Sequence, residues 1–347
     1  MAANTRRTFA GSDISIADLY LAYRKAKVEA FYESAHSQAL AFTEYEQDLE
    51  ANLTRLYGIL LNPEYAWWSD LSFIGSYAYV PKSIDIDVWE KNGHGHFRAL
   101  DPLKDWARLF KKARKRRANA ALRLIIKPSV DFQIVSALWV IKVGCKFDAA
   151  LDSSHCFANR LRRVRRHSGD ERRSAYVLNL ATPALFEPYF SAYQQWREKG
   201  LSSMDKALLA GRNILAITMD IERFYHCVSP TFLIRKRFLN TLKVRLSIVE
   251  LSLTETLLSA FETWYRSTPD YGVRPEGAIP VGLSASKIIA NVLLAEFDSK
   301  VTKRIRPIYL RTLRGRHLPG VRKQRRPEWG QRSYELVVKE AFTDIGS

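Results

Sequence analysis

Apolar positions across residues 15–60 recur at helical spacing, and Leu19, Tyr23, Ala26 and Ala30 fall on one stripe. Ser15 stands where it can cap such a helix, and Asp18, three residues on, where it can return the bond. This stretch is predicted to be helical. From Trp67 to Trp89 the pattern changes to β-branched and aromatic residues punctuated by Gly75 and Pro81, which predicts short strands and turns. Helical periodicity returns over residues 176–210 through Phe186, Tyr189, Phe190, Tyr193, Trp196, Met204 and Leu208, and Gly211 is placed to end that helix. The run Ile214-Leu215-Ala216-Ile217-Thr218-Met219-Asp220-Ile221 is short, apolar and rich in β-branched residues, and it stops at a carboxylate. A buried strand of that kind would deliver Asp220 to its exposed end.

The chain has 347 residues, enough for more than one structural unit, and its 47% hydrophobic and 12% aromatic content is that of a folded protein. Its formal charge of +18 and pI near 9.8 favour a polyanionic partner. Residues 310–347 hold nine basic against four acidic side chains, +5 of that +18, so the remainder is still basic at +13. Two clusters dominate it: Lys111, Lys112, Arg114, Lys115, Arg116 and Arg117, then Arg160, Arg162, Arg163, Arg165 and Arg166 with Arg172 and Arg173 behind. Both are expected to face solvent, either as plain solvated surfaces or as phosphate contacts for nucleic acid. Cys145, Cys156 and Cys227 have neither the number of a disulfide framework nor the paired spacing of a zinc site, which fits a reducing cytoplasm. No signal-type segment and no run of about 18 apolar residues is present, so membrane insertion is not expected.

Two segments carry candidate chemistry. Met219-Asp220-Ile221-Glu222-Arg223-Phe224-Tyr225 places an aspartate on a strand end with an aromatic pair four and five residues on. Gly277-Ala278-Ile279-Pro280-Val281-Gly282-Leu283-Ser284 leads into a helix containing Ala290-Asn291-Val292-Leu293-Leu294. Each alone is an ordinary junction. In this order and at this separation they resemble the first and second palm motifs of reverse transcriptases, most similar to the bacterial retron, group II intron and phage-defence groups. The resemblance covers residues 180–300 and implies an RNA-directed DNA polymerase working on an RNA template, a DNA or RNA primer and deoxynucleoside triphosphates. It makes Asp220 the catalytic Mg²⁺ ligand with the backbone carbonyl of Ile221. Such polymerases hold two Mg²⁺ about 3.5–4 Å apart, and carboxylates are the hard oxygen ligands that Mg²⁺ prefers. Tyr225, beside Phe224, would lie beneath the nucleotide sugar and exclude a 2′-hydroxyl. Pro280 and Gly282 would form a tight loop against the template base and the incoming nucleotide, with Arg123 and Lys127 as candidates for the triphosphate. An anti-phage role, with a non-coding RNA or a defence protein as further partner, follows from the same groups.

The fold class implied is α+β: right-hand polymerase fingers and a partial palm with a helical N-terminal extension, thumb absent. The expected division is 1–66 helical extension, 67–175 mixed fingers-like region, 176–309 partial palm and 310–347 tail. The family next supplies a Tyr-x-Asp-Asp hairpin, and none follows Tyr309 here. Permissible codons for Tyr309 to Val321, read one base later, give Thr-Tyr-Val-Arg-Tyr-Val-Asp-Asp-Ile-Phe-Leu-Val. A frameshift near Tyr309 is therefore expected, with residues 310–347 an out-of-frame, disordered tail and the chain as written inactive. Two rival readings stand beside this one. A basic, palm-like module could bind nucleic acid without chemistry. Alternatively, Gly75-Ser76 followed by Asp85-Ile86-Asp87 resembles a nucleotidyltransferase signature that lacks its third carboxylate.

Overall fold

The computed structural model describes residues 13–32, 36–85, 119–153, 156–166, 175–215, 224–269, 277–305, 307 and 309–310. The first three helices are α1 (Ile16–Tyr32), α2 (His36–Glu46) and α3 (Leu49–Leu61). The expected capping box starts α1: Ser15 N–H donates to the Asp18 carboxylate at 2.9 Å, and Asp18 N–H donates to Ser15 Oγ at 3.2 Å. The stripe read from the sequence is the face that packs, since Leu19, Tyr23, Ala26 and Ala30 are all buried.

Residues 67–85 hold helical turns where short strands and turns were expected. A 3₁₀ turn (Trp67–Ser69) and the one-turn helix α4 (Leu71–Ile74) come first, because Asp70 caps the amide of Ser72 at 2.8 Å. The chain then switches at Gly75 into β1 (Gly75–Asp85), which pairs antiparallel with β2 (Asn119–Pro128). Gly75 has φ +108°, and a Cβ there would run into the Lys127 carbonyl and the Pro128 Cα. Only glycine combines that dihedral with that close crossing.

The centre of the molecule is α5 (Val130–Trp139), in which Phe132, Ile134, Val135, Ala137, Leu138 and Trp139 are fully buried. Every residue of it except Asp131 is buried, which places the helix inside the core. It runs through one π turn (Val140–Gly144) into α6 (Cys145–Ala150). Around it lie α1, α9 (Ile248–Ser267) and α10 (Ser284–Leu293). On α9, Leu253, Leu257, Phe261 and Trp264 form the inward stripe, and Trp139 Nε1 donates to Thr254 Oγ1 at 3.0 Å. One buried cluster runs from Ile14 to Leu293, across the expected boundaries at 66 and 175.

The helix expected over 176–210 begins later. Residues Ala175–Leu178 form β4, paired antiparallel with β3 (Arg163–Arg166), and α7 spans Tyr189–Leu209. Pro183 and Pro188 interrupt the helical pattern between them, and the Asn179 side chain takes the Ala181 amide at 3.1 Å in a local turn. Gly211 does end α7: its N–H donates to the Leu208 carbonyl at 2.9 Å, and the Arg212 N–H donates to the Ala207 carbonyl at 3.0 Å, with Gly211 at φ +70°. Ile214 and Leu215 are irregular, and the rest of the expected strand, with Asp220 and Ile221, lies outside the described residues. The described chain closes with α8 (Lys236–Leu242) before α9, and with α11 (Ala295–Ile305) after α10. It is mostly helical, with two small antiparallel sheets of two strands each. Among the described residues no helix is long and apolar enough to cross a membrane.

Candidate nucleic-acid interface

The two sequence motifs meet. Phe224–His226 form a 3₁₀ turn whose Phe224 and Tyr225 rings are half-buried and edge-on, centroids 5.7 Å apart. The Tyr225 carbonyl accepts the Ile279 N–H at 2.8 Å, so the Gly277–Gly282 loop is fixed against that turn. Ala278, Ile279 and Pro280 are buried. One residue further, the Val281 carbonyl accepts the Ile126 N–H at 3.1 Å, which ties the same loop to the free edge of β2. Gly282, at φ +119°, turns the chain there, and a Cβ on it would lie 3.6 Å from Ile126 Cγ2 and from the Ile126 carbonyl, ordinary contact distances. Its glycine is therefore demanded by the dihedral rather than by space.

Helix α10 starts as predicted, directly after this loop. Ser136 Oγ on α5 accepts the Ala285 N–H at 2.9 Å and so satisfies one amide of the first turn of α10. Asn291 is fully buried and donates through Nδ2 to the Ala158 carbonyl at 2.7 Å and the Asn159 carbonyl at 3.1 Å. The asparagine of the second motif thus holds a tight turn in which Asn159 has φ 52°.

Leu124 and Ile126 of β2 are buried, while Arg123, half-buried, and Lys127, exposed, point to the other face. They pair with Val80 and Ser76 across the hairpin. Four residues of strand separate their Cα atoms by about 13 Å. Two cations thus share the face of a strand whose edge carries the Val281–Gly282 turn.

The arginine run beginning at Arg160 was expected to face solvent, and three of its described members, Arg160, Arg162 and Arg163, turn inward instead. Arg160 Nε donates to Asp148 Oδ1 at 2.8 Å, and Arg163 donates to Asp148 Oδ2. The Asp148 side chain is fully buried. The remaining Arg160 donors go to the carbonyls of Cys156, Asp148 and Leu151, and Arg162 Nε donates to the Phe186 carbonyl at 2.9 Å. A carboxylate stripped of water needs such cationic partners, and it draws the guanidinium groups inward. Arg165 remains exposed, and of Arg166 only the strand position is described. Lys111, Lys112, Arg114, Lys115, Arg116 and Arg117 lie outside the described residues, as do Arg172 and Arg173.

A second charged network has no counterpart in the sequence reading. Lys25 on α1 is almost fully buried and donates to the carbonyls of Leu180 and Thr182. One turn on, Glu29 accepts the Leu185 N–H at 2.9 Å and Lys287 Nζ of α10 at 3.1 Å. Lys287 also sits 4.8 Å from the Phe186 ring centroid. The available signal was a lysine and a glutamate four residues apart on the apolar stripe of α1, where charges stand only if paired.

Among the described residues no group of three His, Cys, Asp or Glu side chains stands together, so they do not build a metal site for the expected Mg²⁺. Asp85 ends β1 opposite Asn119, and Asp87 lies outside the described residues. Comparison with known proteins finds no match among family models, curated proteins or solved structures.

Proposed function

We propose that this chain is the fingers and partial palm of a reverse transcriptase, an RNA-directed DNA polymerase, and that as written it binds nucleic acid without extending a primer. The observation that carries the reading is the 2.8 Å bond from Ile279 N–H to the Tyr225 carbonyl. It joins two segments that the sequence singled out separately, about fifty residues apart, and the same loop then reaches the strand bearing Arg123 and Lys127. In this reading Tyr225 and Phe224 floor the sugar site, Pro280 and Gly282 line the base pair being formed, and the two cations of β2 hold the triphosphate. Asp220 with the Ile221 carbonyl would take one part of a Mg²⁺ site. A lone Asp220 supplies one carboxylate where a two-ion site needs more, so chemistry awaits the Tyr-x-Asp-Asp hairpin of the shifted frame. The template would be RNA, and the setting anti-phage defence in the cytoplasm, with a non-coding RNA or a partner defence protein.

The test is to sequence the coding DNA across codons 300–347, restore the shifted frame if it stays open, and assay Mg²⁺-dependent primer extension. Extension by the restored protein that Asp220→Ala abolishes is the expected result. A written frame confirmed without an open shifted frame sinks the polymerase reading. The second reading, a non-catalytic basic binding module, then leads; it is favoured by the charge of +18. The nucleotidyltransferase reading is weaker, because the close approach of Gly75 to Lys127 already accounts for the glycine on packing grounds.

A further inference from the structure

We propose that the β3–β4 hairpin is a contact arm for single-stranded nucleic acid, in which Tyr176 stacks on a base and Arg165 beside it holds a neighbouring phosphate. The proposal rests on the polynucleotide partner named above and gives it a surface. Arg165 and Tyr176 are direct cross-strand partners, in a register that also pairs Arg163 with Leu178 and Val164 with Val177. Opposed residues of an antiparallel pair share one face, with Cβ atoms about 4.5–5.5 Å apart. The ring and the guanidinium group therefore rise from the same side of the ribbon. Tyr176 is 65% exposed, and Arg165 is exposed as well.

The hairpin is fixed at its root. Two residues before Arg165 on the same face, Arg163 ends on the buried Asp148, while Arg162 and Arg160 are bound to backbone carbonyls and to Asp148. The root thus consumes three of the arginines and positions the side chains beyond it. Beyond the root, from Arg165 to Tyr176, the sequence still holds four arginines against Asp170 and Glu171. A cation beside an open aromatic ring matches the two things that every unpaired nucleotide offers, a phosphate and a free base face. A duplex offers the phosphate and keeps its base faces stacked, so the pairing favours a single strand.

The experiment uses the full chain and fluorescence anisotropy with a labelled oligothymidylate, an oligouridylate and a DNA duplex. Tyr176→Ala is expected to weaken single-strand binding about tenfold, within the range that one stacked base supports, and Tyr176→Phe to keep it within about twofold. Arg165→Gln is expected to weaken it and to lower the slope of log affinity against log salt by about 0.7. Wild-type binding with both variants unchanged overturns this inference and leaves the polymerase reading intact. A wild-type chain that binds no polynucleotide overturns both. Tighter binding to the duplex that survives Tyr176→Ala overturns the stacking role, and a fall in melting temperature for Tyr176→Ala overturns it by making the ring structural.

Discussion

The two antiparallel strand pairs among the described residues are alike in sign of charge, yet they are held by opposite means. β1–β2 is seated through apolar residues and backbone: Leu124 and Ile126 are buried, the Val281 carbonyl takes the Ile126 amide, and Gly75 lets the strands cross closely. The cations of β2, Arg123 and Lys127, are left on the outer face. β3–β4 is seated through charge, with Arg160 and Arg163 drawn onto the carboxylate of Asp148. Where a hairpin finds its footing decides which of its cations remain for a partner. A count of arginines does not.

Removing the charged footing should have the largest effect. Asp148→Ala leaves two guanidinium groups half-buried without their carboxylate, and is expected to cost about 3–5 kcal/mol in urea unfolding. A loss under 1 kcal/mol would show that water reaches the root and that the clamp is loose. Gly75→Ala attacks the other hairpin, where a left-handed dihedral adds to a backbone collision, and about 2–4 kcal/mol should be lost. Gly282→Ala meets the dihedral alone and should cost about 1–2 kcal/mol, so the ranking Gly75 above Gly282 in melting temperature checks that space, and not only φ, sets the difference. Arg123→Gln with Lys127→Gln should leave stability within about 0.5 kcal/mol while flattening the salt dependence of polynucleotide binding. Unaltered salt dependence would remove β2 from the interface.

The smallest effect expected is on pH dependence. Burial pushes the Asp18 carboxyl up, but hydrogen bonds from Lys142 and Ser15 outweigh it and hold the group below its ordinary value. A carboxyl with a lowered folded value contributes stability that is present above the unfolded aspartate range, about 3.9, and is lost as pH falls through the lower folded value. Asp18→Asn should therefore reduce stability at neutral pH and converge with wild type in strong acid, read as melting temperature against pH.

Much of this was legible in the chain. The Ser15–Asp18 box, the stripe of α1, the end of α7 at Gly211 and the start of α10 after Gly282 follow from local rules of capping and left-handed turns, which need no distant partner. The fate of Arg160 and Arg163 was not legible, because it depends on Asp148, twelve and fifteen residues upstream on another element. The same holds for Lys25 and Glu29, whose partners Leu180, Leu185 and Lys287 are remote in sequence. The helix start was misplaced at 176 because Phe186 continues the helical period of Tyr189, Phe190 and Tyr193 while serving in an isolated bridge, and the residues before it form β4. The site divides in the same way: the resemblance to the palm motifs already brought Tyr225 and the Pro280–Gly282 loop to one nucleotide, while the bonds that fix that loop, Ile279 to Tyr225 and Ile126 to Val281, could not be read from the chain.

The π turn at Val140–Gly144 gives the buried rod a change of phase. A π turn holds one residue more than the helix around it, and each helical residue advances the face by about 100°. Everything after Gly144, Asp148 included, is rotated by that amount relative to the face set by Trp139. Deleting one residue between 140 and 144 would restore an uninterrupted α-helix, a gain in local regularity, and would swing the Asp148 carboxylate away from both arginines. The irregular turn thus works as an alignment joint, and the orientation of a surface hairpin is written into the pitch of a helix at the centre of the molecule.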